Sequence, residues 1–274
     1  MRSLFHLGSF LLVLSLLFSC AVKKENTTVK KMTSAQLEQI IDSAKLLGAI
    51  LIYDEEKKTF YSNDFTWSES GHLPASTFKI PNSMIALETA MIDEAKDTIY
   101  YTGEERAFDS WEEDMTLRQA FHRSCLPCYQ QLTRKMGYQN MKAYTYKLGY
   151  GNLSFDSASF DSFWVLGKSE ISQFEQIDFL QRFYHSQLPI SNRTEMIVKE
   201  MIKVSENGYD LSAKTGWSIT EGVDNGWYVG YIEKGGKVYF FATNVSPGPG
   251  FERESFGAIR KEITIRGMKE IGIL

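Results

Sequence analysis

The chain has 274 residues, 43% hydrophobic and 23% charged, a balance typical of a globular protein that buries its core without disulfide or metal support. Its 30 basic and 34 acidic residues give a formal net charge of −4, which argues against non-specific nucleic-acid binding because that binding needs a basic surface. The three cysteines, Cys20, Cys125 and Cys128, are too few for a disulfide scaffold, and their odd number leaves at least one of them unpaired within the chain.

The first 20 residues have the pattern of a secretory signal peptide. Arg2 precedes an apolar run over residues 11–18, which is shorter than a helix needs to cross a bilayer. The run ends in Leu17-Phe18-Ser19-Cys20, which is similar to a bacterial lipobox, so either Cys20 becomes lipidated or plain cleavage occurs nearby. Polar and basic residues predict a tether over 21–32. We expect an exported, periplasmic protein, which a lipidated Cys20 would anchor to a bacterial membrane.

Residues 33–274 are predicted to form a single two-lobed domain. Apolar residues at helical spacing follow Ser34, which is a suitable N-cap, and this helix is predicted to continue until Gly48. Two strands, at 49–53 and 59–61, are predicted to pair in a hairpin.

Helical patterns dominate the middle of the chain, from about 80 to 200, and are interrupted by glycine, asparagine and serine at 149–162. Strand patterns return at 227–232 and 237–242, separated by a turn with two glycines, and a helix is predicted over 255–271. This order predicts an α/β fold (α+β in layer terms). It has a central antiparallel sheet built from both termini, flanked by helices, with a helical lobe inserted in the middle.

Ser76 and Lys79, in Ser76-Thr77-Phe78-Lys79, are the first candidate catalytic pair. Residues three apart at a helix start lie on one face, so the lysine amine reaches the serine hydroxyl. The positive end of the helix dipole favours negative charge on the serine, and a desolvated lysine can deprotonate it. The alternative is that Ser76 only caps the helix and Lys79 is a solvated charge.

Two further motifs are weak when each is taken alone. Lys214-Thr215-Gly216-Trp217 precedes the last two strands, where a cation and a hydroxyl can hold a carboxylate and the glycine leaves room for a substrate backbone. A solvent-facing strand end with a turn glycine is the alternative. Ser124 can pass a proton to a leaving amine, or it is a helix cap, since Pro127 follows closely.

Taken in order, these motifs resemble those of the penicillin-recognising serine enzymes, and within them the class D, oxacillinase-type β-lactamases. The matching segments extend over nearly the whole chain after the tether: Ser76–Lys79, Asp114–Arg118, Ser124–Leu126, Tyr150–Asn152, Phe163–Gly167 and Leu211–Trp217. The resemblance implies a β-lactamase/transpeptidase-like fold. It also implies an enzyme that hydrolyses penicillin-type antibiotics through an acyl-serine intermediate and so confers β-lactam resistance.

The resemblance also implies roles for single residues. Ser76 is the acylated nucleophile, and Lys79, carbamylated by carbon dioxide to N6-carboxylysine, is the general base for acylation and deacylation. Burial favours this modification, because only a neutral amine attacks carbon dioxide. Ser124 relays a proton to the β-lactam nitrogen, Lys214 supplies positive potential there, and Trp164 donates its indole N–H to the carbamate. Apart from the carbon dioxide or bicarbonate consumed at Lys79, no cofactor or metal is expected.

Pocket residues follow from the same resemblance. Arg260 is the expected carboxylate-binding arginine, preferred to Arg253 on register, and Thr215 helps to hold the substrate carboxylate. The backbone N–H groups of Ser76 and Trp217 are expected to form the oxyanion hole. The other residues expected to line the substrate pocket or the apolar wall around the lysine are Phe78, Trp111, Met115, Leu126, Trp164 and Gly216.

Two features depart from the family pattern. Leu126 stands where valine is usual, and its extra methylene is expected to restrict water or carbon dioxide near Lys79 and so to affect turnover. Cys125 and Cys128 form Cys-x-x-Cys beside His122, which suggests a redox pair or metal ligands, but a fourth ligand for zinc is not visible. We expect two buried thiols rather than a local disulfide, because a bridge between residues three apart tolerates little geometric error.

Two other functions share these motifs. The β-lactam sensor domain of a membrane receptor stays acylated, but such receptors need transmembrane helices, and this sequence predicts only a signal segment. A cell-wall peptidase acting on D-Ala-D-Ala peptides is disfavoured by Phe78 and Trp164. The expected partner is a small-molecule β-lactam, with no nucleic acid, and the chain is expected to be a monomer or a homodimer.

Overall fold

The computed structural model describes residues 28–204 and 208–274. The predicted signal peptide, Cys20 and the tether up to residue 27 lie outside the described residues, and their assignments stay predictions. In the part of the chain that is described, no helix is both long and apolar enough to cross a membrane.

Seven of the nine strands in the described chain form one sheet. The strands are β1 (Lys30–Thr33), β2 (Leu46–Asp54), β3 (Thr59–Ser62), β4 (Thr98–Ile99), β5 (Met115–Thr116), β6 (Lys203–Val204), β7 (Asp210–Thr220), β8 (Val223–Lys234) and β9 (Lys237–Pro247). Their order across the sheet is β1-β3-β2-β9-β8-β7-β6, while β4 pairs with β5 separately. All neighbours are antiparallel except β1 and β3. Because β2 pairs with β9, the prediction of a sheet built from both termini is confirmed.

Helices cover both faces of this sheet. They are α1 (Ala35–Ser43), α2 (Phe65–Glu69), α3 (Lys79–Glu88), α4 (Leu117–His122), α5 (Leu126–Met136), α6 (Tyr138–Leu148), α7 (Gln173–Tyr184), α8 (Asn192–Met201) and α9 (Phe256–Glu270), with 3₁₀ turns at Ala75–Phe78, Asp109–Trp111 and Arg253–Ser255. α1 and α9 pack together on one face, and α7 packs on the other. Helices α3 to α8 form the helical region that the sequence places between the strands.

The central strands divide their side chains between two cores. In β9, Phe240 and Ala242 belong to the core shared with the helical lobe, whereas Phe241 and Val245 belong to the core beneath α1 and α9. Successive residues of a strand point to opposite faces, so a strand buried on both sides is apolar almost throughout. At the edge of the helical lobe, β7 packs against the turn Ala75–Phe78.

The turn between β8 and β9 follows the prediction. Gly235 and Gly236 are the two residues between the strands, and both have left-handed backbone conformations, with φ of 60° and 75°. A two-residue turn of this kind needs positive φ at both positions, which glycine adopts at little cost.

The N-terminal helix begins as predicted but ends earlier. The hydroxyl of Ser34 caps α1 by accepting a first-turn backbone N–H at 3.3 Å. The predicted end at Gly48 is wrong, because α1 ends at Ser43, Lys45 turns the chain with a φ of 54°, and β2 begins directly afterwards. Gly48 lies within β2, where a Cβ would come within 2.3 Å of the Asn244 carbonyl oxygen.

Candidate active site

Ser76 lies in the 3₁₀ turn Ala75–Phe78, which leads directly into α3. Two segments of the helical lobe anchor this turn. The Ala75 N–H donates to the Trp164 carbonyl at 2.6 Å, and the Thr77 hydroxyl lies 2.9 Å from the Tyr150 hydroxyl. The segments around Tyr150 and Trp164 therefore hold the turn Ala75–Phe78 in place through hydrogen bonds to the residues on either side of Ser76.

Lys79 is the first residue of α3 and is almost completely buried, with 1% of its surface exposed. Its Nζ donates to Ser76 Oγ at 2.9 Å and lies 5.1 Å from the centre of the Tyr129 ring. Burial lowers the pKa of Lys79 to about 7. The neutral amine is therefore accessible beside the serine hydroxyl near neutral pH. The alternative of a solvated lysine charge is wrong.

Lys214 brings the second and third motifs together. It lies in β7, is buried, and its Nζ donates both to Ser124 Oγ and to the Thr215 carbonyl, the latter at 2.9 Å. Burial, reinforced by the positive charge of Lys79, lowers the pKa of Lys214 well below its usual value. Ser124 itself has a left-handed backbone, with a φ of 52°, and the N-cap of α5 is the next residue. The helix-cap alternative for Ser124 is therefore wrong.

A cleft of about 340 Å³ opens above these groups. It is lined by Ser76, Phe108, Ser110, Trp111, Arg123, Ser124, Leu126, Val165, Thr215, Gly216, Trp217 and Arg260. Seven predicted site residues from distant parts of the sequence thus share one cavity with Ser76, and Lys79 and Lys214 lie beneath it. Four lining residues were not predicted. Phe108, Ser110 and Arg123 lie outside the matched segments, and Val165 lies in the matched segment Phe163–Gly167 but was not given a role.

Arg260, rather than Arg253, reaches the cleft. Arg260 is 5% exposed and donates to the backbone carbonyls of Gly216, Phe256 and Gly257. Burial lowers the pKa of Arg260 to about 10. Its side chain fits because position 226 is glycine, where a Cβ would lie 2.6 Å from Arg260 Cδ. This space requirement is visible only in three dimensions.

Arg253 instead forms an ion pair away from the cleft wall. Its Nε lies 2.9 Å from Asp224 Oδ2, and Asp224 Oδ1 accepts the indole N–H of Trp217 at 2.7 Å. The buried carboxylate therefore fixes the indole that lines the cleft. Asp224 was missed by sequence reasoning, although an acidic residue close to the end of an otherwise apolar strand is a usable signal.

The predicted apolar wall is present, with one unpaired donor. Phe78 and Trp164 are both fully buried and stack with ring centres 5.5 Å apart. The indole Nε1 of Trp164 is buried and has no hydrogen-bond partner among the described residues. A buried unpaired donor is costly, so this atom indicates an acceptor that the protein chain does not itself supply.

Met115 is a correction. Sequence reasoning assigned it to the substrate pocket, but it pairs with Ile99 between β5 and β4 and is only 1% exposed. It packs in the core of the helical lobe. Its position next to a recognisable motif did not reveal which way the side chain points.

The expectation of two free thiols at Cys125 and Cys128 is wrong. The structure joins them in a disulfide, with Cα atoms 5.4 Å apart. Cys125 is the N-cap of α5 and Cys128 lies in its first turn, so the entry into the helix brings the two Cα atoms within bridging distance. Since each sulfur is bonded to the other, the pair is not a set of thiolate metal ligands.

These features define a serine acyl-transfer site in which one buried lysine contacts the nucleophile and a second contacts a neighbouring serine. The chain matches the penicillin-binding protein transpeptidase domain over residues 47–269 and belongs to that family. It is 35% identical over 254 residues to the β-lactamase OXA-10 of Pseudomonas aeruginosa, an alignment that covers 91% of each chain.

The solved structures support the same placement. The class D β-lactamase YbXI from Nostoc is 38% identical, with a TM-score of 0.82 over 87% of this chain and 99% of that one. The C-terminal domain of the BlaR penicillin receptor of Bacillus licheniformis, 25% identical, has a TM-score of 0.81 over 90% of this chain and 98% of that one. Within the family the chain is a class D serine β-lactamase, so the predicted fold class and enzyme class are confirmed.

Proposed function

We propose that this protein hydrolyses penicillin-type β-lactams through an acyl-Ser76 intermediate and thereby confers β-lactam resistance. The observation that carries the proposal is the contact of 2.9 Å between Lys79 Nζ and Ser76 Oγ at the base of the cleft. This contact supplies a nucleophile with a base inside hydrogen-bond reach, and burial keeps the pKa of the lysine near 7, where a base is effective.

In acylation, Ser76 Oγ attacks the β-lactam carbonyl carbon and passes its proton toward Lys79. The backbone N–H groups of Ser76 and Trp217 are proposed to stabilise the oxyanion, at no cost of reorganisation. The ring C–N bond then breaks, and the Ser124 hydroxyl, which accepts a hydrogen bond from Lys214, gives its proton to the ring nitrogen. The proton taken up by Lys79 then restores the Ser124 hydroxyl. In deacylation, water attacks the ester carbon and gives a proton to Lys79, which passes it to Ser76 Oγ as the ester C–O bond breaks and the opened product leaves.

The substrate carboxylate is proposed to bind at the wall of the cleft that Thr215 and Arg260 form. Arg260 and Thr215 both line the cavity. With Lys214 beneath them, they make this end of the cleft positive although the whole chain has a formal charge of −4. A positive cleft attracts an anionic substrate ahead of a neutral one.

We further propose that Lys79 is carried as N6-carboxylysine. Its neutral amine fraction near pH 7 permits the reaction with carbon dioxide, and the unpaired Trp164 Nε1 is a donor suited to a carbamate oxygen. A negative group on Lys79 would also remove the repulsion that Lys214 experiences from it. When carbamylated, Lys79 supplies an oxygen base for both acylation and deacylation. Leu126, which lines the cleft, is proposed to limit access to it.

A penicillin receptor domain is the second candidate function, because the BlaR domain shares this fold over 90% of the chain. The two functions differ in the fate of the acyl-enzyme, which a hydrolase releases and a receptor retains. Mixing the protein with a chromogenic cephalosporin should give sustained turnover if it is a hydrolase. A single burst equal to the enzyme concentration, without a steady state, would instead identify a receptor.

Export and anchoring are proposed from the N-terminal pattern alone. Cys20 precedes the described domain and is the candidate lipid attachment point. Incorporation of labelled palmitate into the expressed chain, and its loss in Cys20→Ala, would distinguish a lipid-anchored periplasmic protein from one cleaved nearby.

Turnover is expected to depend on pH and on bicarbonate. Because the pKa of Lys79 is about 7, the neutral amine is scarce below about pH 6 and predominant above about pH 8. In buffer depleted of carbon dioxide, we expect a low initial rate at about pH 6, increased severalfold by bicarbonate, and a smaller increase at about pH 8. Initial rates with a chromogenic cephalosporin measure this. Equal rates with and without bicarbonate at both pH values would argue against carbamylation.

Asp224→Ala is expected to disturb substrate binding more than chemistry. The change leaves the Trp217 indole N–H without its acceptor and Arg253 without its ion pair, so Trp217 is no longer held in one orientation against the cleft. We expect KM to rise about threefold to tenfold with kcat nearly unchanged, which corresponds to a loss of about 0.7–1.4 kcal/mol in substrate binding. Asp224→Asn, which retains an acceptor oxygen, is the control, and its KM should lie between those of wild type and Asp224→Ala. A fall in kcat with constant KM would contradict this assignment.

A further inference from the structure

The disulfide follows Ser124 directly in the sequence, and the buried guanidinium of Arg106 packs against it. The side chain of Arg106 is 2% exposed, and its Nη1 lies 3.6 Å from Cys128 Sγ and 3.9 Å from Cys125 Sγ. The same Nη1 donates to the Trp111 carbonyl at 2.7 Å. One buried guanidinium therefore contacts both the disulfide and the loop whose Ser110 and Trp111 line the cleft.

The loop that contains Trp111 also contacts the turn at Ser124. The Trp111 indole N–H donates to the Arg123 carbonyl at 3.0 Å, and the Arg123 guanidinium donates to the Ser110 carbonyl at 3.1 Å. Arg123 immediately precedes Ser124. The disulfide, Arg106, Trp111 and the Ser124 turn thus form a closed ring of contacts around one side of the cleft.

Ser124 needs such support. Its φ of 52° is unfavourable for a residue with a side chain, and such conformations persist where surrounding contacts impose them. Its hydroxyl must also meet Lys214 Nζ, which is fixed on β7. A turn free to relax to negative φ would carry the hydroxyl away from that partner.

We propose that the Cys125–Cys128 disulfide and Arg106 act together as a positioning clamp for Ser124, and that reduction of the disulfide slows acylation. This inference rests on the proposed function, because it assigns the clamp to the proton transfer made by Ser124. Cys125, Cys128 and Arg106 are positioning residues. They act through the turn and through Trp111, and not on the substrate.

Reduction is a balanced exchange with an added dithiol. One thiolate of dithiothreitol attacks a cysteine sulfur and releases the other cysteine as a thiolate. Its second thiol then closes the cyclic disulfide, leaving two protein thiols. Arg106 also forms an ion pair with Glu104, but its Nη1 faces the two sulfurs, and the Cys128 N–H at the start of α5 points to Cys125 Sγ at 3.2 Å, so two donors are available to the intermediate thiolate. Cys125 and Cys128 are at most 1% exposed, so the reagent reaches the bridge only when the start of α5 opens locally, and the free-thiol count shows when reduction is complete.

The experiment measures the acylation rate of the full chain with a fluorescent penicillin, before and after reduction by dithiothreitol and removal of the reagent. Free thiols are counted in each sample. Reduction should lower the acylation rate about tenfold, since displacements below 1 Å at a reacting group have effects of this size, and reoxidation should restore it. Circular dichroism checks that the reduced chain remains folded.

Three variants separate positioning from simple stability. Cys125→Ala/Cys128→Ala should acylate as slowly as the reduced protein and be insensitive to dithiothreitol. Arg106→Met should be slow when oxidised and lose little more on reduction, because the two changes break one unit. Arg134→Met is the control: like Arg106→Met, which breaks the ion pair with Glu104, it removes an arginine ion pair, here with Asp161, but it does so on α5 away from the turn and should keep the wild-type rate.

The outcomes are distinguishable. A wild type that is acylated at the same rate oxidised and reduced, with both clamp variants unchanged, overturns the clamp alone. Additive losses in Arg106→Met on reduction overturn the joint action of Arg106 and the disulfide. A wild type that the penicillin never acylates overturns the proposed function and the catalytic part of the clamp together.

Discussion

Lys79→Ala is expected to lose turnover of a chromogenic cephalosporin by a factor of about a thousand while the chain still folds. The change removes the group that lies 2.9 Å from Ser76 Oγ and that is proposed to accept its proton. General-base catalysis typically contributes about a hundredfold to ten-thousandfold. Deacylation should suffer most, because Lys79 is the basic side chain that contacts Ser76 Oγ, where the ester is attacked, whereas acylation still has Ser124 and Lys214 to protonate the leaving nitrogen.

Mass spectrometry of the product mixture provides the decisive measurement. After incubation with a penicillin, Lys79→Ala should carry one acyl group that persists for hours, and wild type should return to its free mass. Ser76→Ala is the control and should carry none. A Lys79→Ala protein that turns over at more than about a tenth of the wild-type rate would show that another residue is the base.

Sequence reasoning succeeded where a property is local or repeated along the chain. The Ser34 cap and the Gly235-Gly236 turn depend on neighbouring residues only, and both were predicted correctly. The apolar texture of β8 and β9 follows from burial on two faces, which leaves a signal in any single sequence. The order of the motifs was enough to identify the family even though each motif alone was weak.

Failures occurred where the direction of a side chain or a distant contact decides the outcome. Met115 lies beside a recognisable motif, but the pairing of β5 with β4 turns it into the core. Arg260 was correctly preferred to Arg253, but the space that Gly226 leaves for its side chain is visible only in the structure. The disulfide depends on the chain geometry at the entry to α5, which no spacing rule specifies. Arg106 lies in a loop without periodicity, so nothing in the sequence related it to the cysteines.

The site concentrates buried basic side chains, each of which is costly to hold in its charged form. Lys79, Lys214 and Arg260 are each at most 5% exposed, and no ion pair found among the described residues includes any of them. Buried unpaired charge is costly, and a protein tolerates it where function requires it. The lowered pKa values of all three groups express the same cost. Removing one of these charges should therefore make the protein more stable as it becomes inactive.

Lys79→Met is expected to unfold at higher denaturant concentration than wild type, by a margin that depends on pH. In the unfolded chain the pKa of a lysine is 10.5, and in the folded protein that of Lys79 is about 7. Between these values the unfolded state binds a proton that the folded state does not, so wild-type stability rises with pH across this window. Methionine has a similar volume and no charge, so the variant lacks this slope. Its advantage should be largest below about pH 7, on the order of a few kcal/mol, and vanish toward pH 10.5.

Urea unfolding of both proteins at about pH 6, 7.5 and 9, in buffer depleted of carbon dioxide, measures this difference. Lys135→Met, which removes an exposed lysine from α5, is the control and should change stability little at any pH. Bicarbonate should narrow the gap at the higher pH values, because a modification specific to the folded wild type stabilises it by mass action. A constant gap across the pH series, or a Met variant less stable than wild type at about pH 6, would mean that other contacts compensate the buried lysine. A positive gap that closes with pH would show that the base of the cleft is maintained at the expense of stability.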